Sequence, residues 1–262
     1  MNLPENISRR IIGKNYKTDD IGMSHSNIMI FDDSVLKIVK YRRENEKTVQ
    51  VMRWLEEKLP IPKVVCFERD EEYQYLLMSR MEGTMSCDTY YLERPDELIS
   101  LLAEAMHMLW DVEISDCPRN RGLDEEITEA EYRVANHLVD LNHVEPTTFG
   151  KNGEFAEPKE LLIWLKENRP KYEPVLSHGD FCLPNIFLNQ HRVSGFIDLG
   201  DMGVGDKWRD IALCYRSLKH NFDGIYGGKV YSGYYPDMLF EKLDISPDWE
   251  KLRYYILLDE LF

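Results

Sequence analysis

Runs of apolar residues bounded by turn-forming residues dominate the first third of the chain. Residues 27–31 and 35–39 are two such runs, separated by two aspartates and a serine at 32–34. This pattern predicts a β-hairpin, because short β-prone runs joined by a turn pair in this way. Further runs at 63–67 and 73–78 predict two more strands.

Apolar residues at helical spacing appear first between these strands and then through the rest of the chain. Residues 43–59 show this spacing until Pro60 stops it. Similar apolar faces follow Pro95 and Pro158, and proline suits the first turn of a helix. These patterns predict a helix within the strand-rich third and a mainly helical remainder.

The order of these elements divides the chain. Strand patterns come before Gly83 and helical patterns after it. We therefore predict an α+β fold with an N-terminal lobe of residues 1–82 and a C-terminal lobe of residues 83–262. A chain of 262 residues is long enough for two lobes that share a cleft.

Two segments of the C-terminal part carry separate predictions. Residues 142–157 contain Pro, Thr, Gly and Asn without periodicity, which predicts a surface loop of a length often used as a lid. Ser246 is followed by Pro247 and Asp248, a pattern typical of a capped helix start. We expect the last helix to run from there to Phe262.

Composition narrows the class of protein. No stretch approaches the roughly 20 apolar residues of a membrane helix, so no membrane partner is expected. The N-terminus lacks the apolar run and cleavage site of a secretory signal, which predicts a cytoplasmic protein. The five cysteines are widely spaced and form no C-x-x-C pair, so neither a disulfide framework nor a zinc site is favoured.

Charge is distributed unevenly along the chain. The net charge is −15, and the whole acidic excess lies in residues 85–262, since residues 1–84 contain equal numbers of acidic and basic side chains. Such a surface repels nucleic acid and favours a cationic partner. An acidic surface that serves only solubility is the alternative.

The segment SHGDFCLPNIFLNQHRVSGFIDLG, from Ser177 to Gly200, carries the candidate chemistry. Asp180 is followed five residues later by Asn185 and, after a short apolar run, by Asp198. Phosphoryl transfer to a hydroxyl needs one carboxylate as base and oxygen ligands for Mg²⁺ on the phosphates. The same order and spacing occur in the catalytic loop and metal-binding motif of protein kinases. Asp180 is therefore the candidate base, and Asn185 and Asp198 are the candidate magnesium ligands.

Each motif alone has a simpler explanation. A lone H-G-D sequence could be a turn, and I-D-L-G could simply end a strand. Their order, after a strand-rich first third, favours phosphoryl transfer. His178 is interpreted as a structural hydrogen-bonding residue without a chemical role.

Segments from both predicted lobes fit a known family. They are Gly22-Met23-Ser24, Leu36-Lys37, Trp54-Leu55-Glu56, Leu76-Leu77-Met78-Ser79, His178-Gly179-Asp180, Phe196-Ile197-Asp198-Leu199-Gly200, Asp206-Lys207-Trp208 and Leu257-Leu258-Asp259-Glu260-Leu261-Phe262. Through them the chain resembles the aminoglycoside 3'-phosphotransferases. The resemblance implies a protein-kinase-like fold, with a five-stranded antiparallel N-terminal lobe, a helical C-terminal lobe and ATP in the cleft.

The resemblance also implies a nucleotide site for ATP, with GTP as an alternative. Lys37 would reach the α- and β-phosphates, and Glu46 or the alternative Glu44 would pair with it. The loop before the hairpin would cover the phosphates, and the interlobe hinge would offer backbone groups to adenine. The implied nucleotide-binding residues are Met23, Ser24, Lys37, Glu46, Ser79 and Met81.

An acidic C-terminus is the candidate substrate site. Asp259, Glu260 and the carboxylate of Phe262 place three negative groups within four residues, at a helix end that normally prefers cations. Carboxylates bind ammonium groups by charge-assisted hydrogen bonds, so this cluster favours a polycationic substrate. Asp201, where related enzymes often carry arginine, is a further candidate beside Asp180.

The predicted function is ATP- and Mg²⁺-dependent phosphorylation of an aminoglycoside, at the 3'-hydroxyl of drugs such as kanamycin or neomycin, which confers resistance. The alternatives are a kinase of the same fold for a macrolide, choline or a sugar, and a non-catalytic binding module. A protein kinase is disfavoured, because H-R-D and A-P-E are missing. The protein is expected to be a monomer or weak dimer. The glycine- and tyrosine-rich residues 222–236 are either a substrate loop or a connector.

Overall fold

A computed structural model describes residues 3–18, 27–142 and 144–262 of the chain. Its N-terminal part contains a five-stranded antiparallel sheet in the order β1-β2-β3-β5-β4. The strands are β1 (Lys17–Thr18), β2 (Asn27–Ile30), β3 (Ser34–Lys40), β4 (Val64–Arg69) and β5 (Tyr73–Ser79). The predicted hairpin of β2 and β3 and the two later strands are thereby confirmed.

The five-stranded sheet is covered by a helix on each face. Leu36 and Ile38 of β3 are buried on one face, where they share a small core with Ile7 of helix α1 (Glu5–Ile11). Because side chains alternate along a strand, Lys37 lies on the opposite face, directly across from Leu76. On that side packs helix α2 (Arg43–Leu55), which ends four residues before the predicted limit.

The C-terminal part is mainly helical. Its helices are α3 (Thr89–Leu92), α4 (Pro95–Trp110), α5 (Leu123–Ala135), α6 (Pro158–Glu167), α7 (Lys207–Phe222), α8 (Met238–Leu243) and α9 (Trp249–Asp259). Its strands are β6 (Thr84–Met85), β7 (Pro174–Ser177), β8 (Ile186–Asn189), β9 (Arg192–Phe196) and β10 (Gly203–Asp206). They form a β6-β8-β9 sheet and an antiparallel β7-β10 pair.

The larger hydrophobic core is continuous. It joins α2 to the apolar face of α4, and it extends to α7 and α9. The chain changes sheets between the end of β5 at Ser79 and the start of β6 at Thr84. This change supports the lobe boundary between residues 82 and 83, which stays a prediction.

The last helix differs from its prediction at both ends. The side chain of Asp248 accepts a hydrogen bond from the Lys251 N–H at 3.0 Å, so Asp248, not Ser246, caps α9. A carboxylate two residues nearer the helix competes successfully as the cap. The helix ends at Asp259, and a turn follows in which the Phe262 N–H donates to the Asp259 carbonyl. The prediction of a helix from Ser246 to Phe262 was therefore wrong by a few residues at each end.

The segment between α5 and α6 contains neither a helix nor a multi-residue strand in its described part, in agreement with the predicted loop. Its Phe155 side chain is buried and packs against Trp164 of α6, which anchors the loop to the core. Among the described helices, none combines the length and apolar character needed to cross a membrane.

Candidate active site

A tight turn after β7 begins the candidate site, and Asp210 of α7 holds it. The buried Asp210 carboxylate accepts hydrogen bonds from the His178 N–H at 2.9 Å, the Gly179 N–H at 3.0 Å and the Ser177 hydroxyl at 2.9 Å. Gly179 has φ +80°, and a Cβ there would lie 2.4 Å from the Asp201 carbonyl oxygen. Only glycine fits this close approach.

His178 has the structural role that the sequence predicted. Its ring is buried, with Nε2 3.0 Å from the Ile197 carbonyl, and its Nδ1 accepts from the Asp180 N–H at 3.3 Å. Since Nδ1 accepts, Nε2 carries the proton and donates to the carbonyl. The imidazole therefore joins the turn to the end of β9.

Asp180 projects from this turn with both carboxylate oxygens hydrogen-bonded. Oδ1 accepts from the Cys182 thiol at 2.9 Å, and Oδ2 accepts from the Asn185 side-chain amide at 2.8 Å. Burial raises the pKa of Asp180 above its usual value, while the hydrogen bond from Cys182 acts in the opposite direction. The carboxylate thus has a fixed orientation.

The pairing of β8 with β9 brings Asn185 beside Asp198. The Ile197 N–H donates to the Asn185 carbonyl at 2.9 Å, immediately before Asp198. Asp198 adopts a left-handed conformation with φ +55°, which aspartate tolerates better than most residues. The spacing of Asp180, Asn185 and Asp198 along the chain therefore brings these three polar side chains close together.

Lys37 enters the same cluster from the N-terminal sheet. Its ammonium lies 2.7 Å from Asp198 Oδ1, although 161 residues separate the two in sequence. Partial burial acts to raise the pKa of Asp198. The Lys37 ammonium outweighs this effect and holds the pKa of Asp198 below its usual value. Asp198 is consequently an anion in this cleft.

The donor set fits a magnesium ion. The Asn185 side-chain nitrogen donates to both the carbonyl and Oδ2 of Asp180, and the amide oxygen has no hydrogen-bond partner among the described residues. Asp198 keeps one oxygen beyond the one that Lys37 contacts. Mg²⁺ prefers such oxygen ligands and commonly completes its shell with phosphates and water. Within residues 3–18, 27–142 and 144–262, no group of three or more His, Cys, Asp or Glu side chains could hold a metal.

Four of the other residues predicted to bind nucleotide are Met23, Ser24, Ser79 and Met81. Met23 and Ser24 lie outside the described residues. The Ser79 N–H already donates to the Lys63 carbonyl at 2.9 Å, so it is not free to contact adenine as expected. Met81 packs its terminal methyl over Gly195, where a Cβ would lie only 2.1 Å away.

The structure does not bring Glu46 to Lys37. The Glu46 carboxylate lies 3.2 Å from Arg69 and accepts from the Tyr41 hydroxyl at 3.3 Å. Glu44, the alternative partner, pairs instead with Lys47 one helical turn later. Lys37 has Asp198 as its partner, so the predicted lysine–glutamate pair is corrected in this structure.

The acidic C-terminus is paired with arginines instead of lying open. Asp259 contacts Arg209 at 3.1 Å and is also bound by Arg216. Glu260 is buried and lies 3.3 Å from Arg216. Burial would raise the pKa of Asp259, but Arg216 and Arg209 hold it below its usual value.

The terminal carboxylate of Phe262 has a partner as well, because Arg133 donates to it and to the Leu261 carbonyl. Arginines that the sequence analysis did not anticipate therefore partly neutralise the predicted cluster of three negative groups. These contacts hold the helix end against the rest of the protein, so it is not frayed into solvent. Long-range arginines stabilise a charge that is unfavourable for the helix itself.

Comparison with known proteins gives this geometry a family. Residues 22–255 match the phosphotransferase enzyme family. This chain belongs to that family. Family membership makes it a phosphotransferase that acts on a hydroxyl group, in agreement with the predicted enzyme class.

Named relatives share most of their length with this phosphotransferase. An aminoglycoside 3'-phosphotransferase of Enterococcus faecalis is 40% identical over 243 residues, which cover 92% of this chain and 87% of the relative. The enzyme of the same name from Staphylococcus aureus is 40% identical over 247 residues, covering 94% and 89% respectively.

Solved structures confirm the predicted two-lobed, kinase-like fold of the phosphotransferase. An aminoglycoside-3'-phosphotransferase of type VIII superposes with a TM-score of 0.82 at 24% identity, covering 98% of this chain and 97% of that one. An aminoglycoside phosphotransferase from Streptomyces rimosus, in complex with ADP and streptomycin, has a TM-score of 0.78 at 22% identity, with 97% and 95% covered.

Two arginines that sequence reasoning missed contact the turn after Asp198, a candidate metal ligand. Arg121 contacts Asp201 at 2.8 Å, and Arg119 donates to the Gly200 carbonyl. Asp201, a candidate substrate-binding residue, is therefore a partner for a positive charge from another loop. The Asp201 backbone lies against Gly179, the residue that precedes Asp180.

The glycine- and tyrosine-rich segment begins where α7 ends. Tyr234 stacks on Phe222 with ring centroids 4.8 Å apart, and the Tyr231 N–H donates to the Phe222 carbonyl. Tyr226 packs edge-on against His220, which lies 3.0 Å from Glu145 of the loop before α6. These contacts anchor the segment to α7 and leave its role as substrate loop or connector a prediction.

Proposed function

We propose that this phosphotransferase transfers the γ-phosphoryl group of ATP to an aminoglycoside, at the 3'-hydroxyl of kanamycin- and neomycin-type drugs, and so confers resistance. The observation that carries the proposal is the cluster of Asp180, Asn185, Asp198 and Lys37. The relatives that match most of this chain at 40% identity are aminoglycoside 3'-phosphotransferases, which supports the substrate class.

Asp180 is the proposed catalytic base. Its carboxylate is held at both oxygens, and it would accept the proton of the attacking hydroxyl. Positioning supplies much of the rate in phosphoryl transfer, because the protein takes little part in the covalent change. The held carboxylate fits this requirement.

Lys37, Asn185 and Asp198 are proposed to bind the phosphates of the nucleotide and their magnesium ion. Asn185 and Asp198 would hold magnesium, which when bound neutralises charge on the phosphates. Lys37 would leave Asp198 for the phosphate oxygens, since each is an anionic partner for its ammonium. Met23 and Ser24 are proposed to cover the phosphates, with Met81 beside adenine and Ser79 reaching it through a group other than its bonded N–H.

The acidic C-terminus is proposed to bind the ammonium groups of the drug. Asp259 is about one-fifth exposed, although Arg209 and Arg216 contact it, and it lies near enough to Asp180 for its charge to contribute to the raised pKa of Asp180. Phe262 and Asp201 contribute further negative charge, and Glu260 contributes less, because burial raises its pKa to about 7. Because the C-terminal part carries the acidic excess of the chain, the surrounding field also attracts cations.

A less cationic alcohol is the second candidate substrate. Arg209 and Arg216 lower the net negative charge of the C-terminal cluster, which favours this alternative more than the sequence did. A non-catalytic module is a weaker rival, because Asp180, Asn185 and Asp198 lie together.

The function is tested by measuring ADP release with ATP and Mg²⁺ on kanamycin, neomycin, gentamicin, a macrolide and choline, beside Asp180→Ala. We expect turnover on kanamycin and neomycin that the variant loses. Drugs that lack the 3'-hydroxyl should not react, which identifies the position. Turnover confined to choline or the macrolide would replace the proposed substrate, and binding without any turnover would support the non-catalytic module. Repeating the assay with GTP determines the nucleotide preference.

Replacing Asp259 with asparagine is expected to raise KM for kanamycin about tenfold, with a smaller change in kcat. The variant removes one negative charge while both arginines stay, and charge-assisted hydrogen bonds contribute on the order of 1.5 to 3 kcal/mol. KM should rise most at low salt, because screening weakens the wild-type attraction as salt increases.

Asp116→Asn is the matched control for Asp259→Asn, since Asp116 pairs with Lys58 on the surface. The control should keep the wild-type KM. An unchanged KM in Asp259→Asn, with the fold intact by circular dichroism, would contradict a role for this carboxylate in drug binding.

A further inference from the structure

Cys182 lies in the turn between Asp180 and Asn185 and contacts the proposed base. Its Sγ donates to Asp180 Oδ1 at 2.9 Å. Sequence reasoning gave this cysteine no role, because nothing in the sequence shows that a thiol two residues after an aspartate turns back toward it. The contact depends on the conformation of the turn.

The turn fixes the Cys182 side chain in place. Cys182 lies between Phe181 and Leu183, both fully buried. The Cys182 N–H donates to the Asp180 carbonyl at 2.9 Å, and the Asn185 N–H donates to the Cys182 carbonyl at 3.0 Å. The buried Ser217 hydroxyl accepts from the Leu183 N–H at 3.1 Å and ties the turn to α7.

The Cys182 thiol and the Asn185 amide both donate hydrogen bonds that fix the Asp180 carboxylate. Asn185 donates to Oδ2 and Cys182 donates to Oδ1, so rotation of the carboxylate would break both hydrogen bonds. Asn185 is also a candidate magnesium ligand, so its side chain would both donate to Asp180 and bind the metal. The hydrogen bond from Cys182 is the one that does not involve a candidate metal ligand.

The thiol is suited to donate this hydrogen bond. Burial and the neighbouring Asp180 carboxylate raise the pKa of Cys182 well above its usual value. The sulfur therefore keeps its proton at neutral pH, and a protonated thiol can donate where a thiolate cannot.

We propose that Cys182 is a positioning residue that holds the Asp180 carboxylate in the orientation needed to accept the proton of the acceptor hydroxyl. This inference rests on the proposed function, in which Asp180 is the base of the phosphoryl transfer. Small errors in the placement of a catalytic group lower the rate strongly, because reacting atoms must lie within a narrow range of distance and angle.

Three variants of Cys182 separate hydrogen bonding from packing. Cys182→Ser keeps a donor, whereas Cys182→Ala and Cys182→Val remove it with less or more volume. We expect kcat with kanamycin to fall about tenfold in the Ala and Val variants and to stay within about threefold of wild type in Ser. KM for kanamycin, KM for ATP and the magnesium requirement should change less than about twofold, because the thiol contacts neither candidate metal ligand.

Cys87→Ala is the control, since Cys87 lies beside β6 and outside the cluster. It should keep wild-type kcat. Equal losses in the Ser, Ala and Val variants would assign Cys182 to packing, and wild-type kcat in all three would overturn the proposal. A rise in KM at constant kcat would also overturn it.

ATP hydrolysis without drug provides a second acceptor, water, in the same site. The same order of variants is expected there, with Ser close to wild type and Ala and Val slower. If the wild-type protein is inactive on all aminoglycosides but hydrolyses ATP, the substrate proposal fails and the hydrolysis rates still test Cys182. Indifference of hydrolysis to the three variants would then overturn the positioning role.

Discussion

Asp180→Asn is expected to lower kcat by about 10²- to 10⁴-fold, the range that general base catalysis contributes. The substitution is nearly isosteric, but the amide cannot accept the hydroxyl proton. It also places an NH₂ group against one of the two donors that hold the carboxylate, Cys182 and Asn185. Single-turnover measurements with saturating ATP and drug check this directly, because they report the chemical step without product release.

Binding should survive the substitution, since Asp180 lies at the reacting end of the site. Titration of the variant with ATP analogues and with kanamycin should give dissociation constants close to wild type. Asp116→Asn, a surface aspartate paired with Lys58, is the matched control and should keep full kcat. Near-normal turnover by Asp180→Asn would remove Asp180 from the mechanism.

The candidate cluster was predictable from sequence to the extent that it is local. Asp180, Asn185 and Asp198 belong to one continuous unit, the turn, β8 and β9, whose geometry follows from alternation and short connections. Spacing alone therefore placed them together. Lys37 was different, because only the family resemblance placed it at the nucleotide site, and its contact with Asp198 across 161 residues was not predicted.

Long-range charge pairing was the part that sequence could not provide. The pairing of Asp259 with Arg209 and Arg216 was not predicted, because these arginines lie 50 and 43 residues away in sequence. The family resemblance implied that Glu46 pairs with Lys37, yet the Glu46 carboxylate contacts Arg69 of β4 instead. Helix and strand periodicity reports which face is apolar, and it does not report which charges meet.

Arg209→Met is expected to lower the free energy of unfolding by about 3 to 5 kcal/mol, the cost of leaving a buried ionic partner unpaired. Arg209 lies 2.9 Å from Glu126 and 3.1 Å from Asp259, and the side chains of Arg209 and Glu126 are each more than nine-tenths buried. Methionine fills much of the volume but leaves Glu126 without its ion-pair partner. For a chain of this size the midpoint temperature should fall by on the order of 10 °C.

A second substitution separates the loss of charge pairing from the loss of packing. Arg209→Met combined with Glu126→Leu removes both charges and should recover a large part of the stability, since buried ion pairs are often replaceable by apolar groups. Arg9→Met, which breaks an exposed pair with Glu5, is the control and should unfold like the wild type. A double variant no more stable than Arg209→Met would attribute the loss to packing.

The loss of stability in Arg209→Met should also grow as pH rises, because it depends on the ionisation of Glu126. Burial raises the pKa of Glu126 from 4.5 to about 7, although Arg209 acts to lower it. A carboxyl with a raised folded-state pKa binds more protons in the folded protein, so its contribution to stability falls as pH rises between those values. Without Arg209 the pKa of Glu126 rises further, and the fall in stability extends above pH 7.

Urea unfolding at pH 6 and pH 8 should therefore show that Arg209→Met loses more stability relative to wild type at pH 8. The double variant, which lacks Glu126, should not show this added pH dependence. The same arginine donates to the Gly179 carbonyl at 3.0 Å, beside the proposed base, so kcat of the single variant should fall as well.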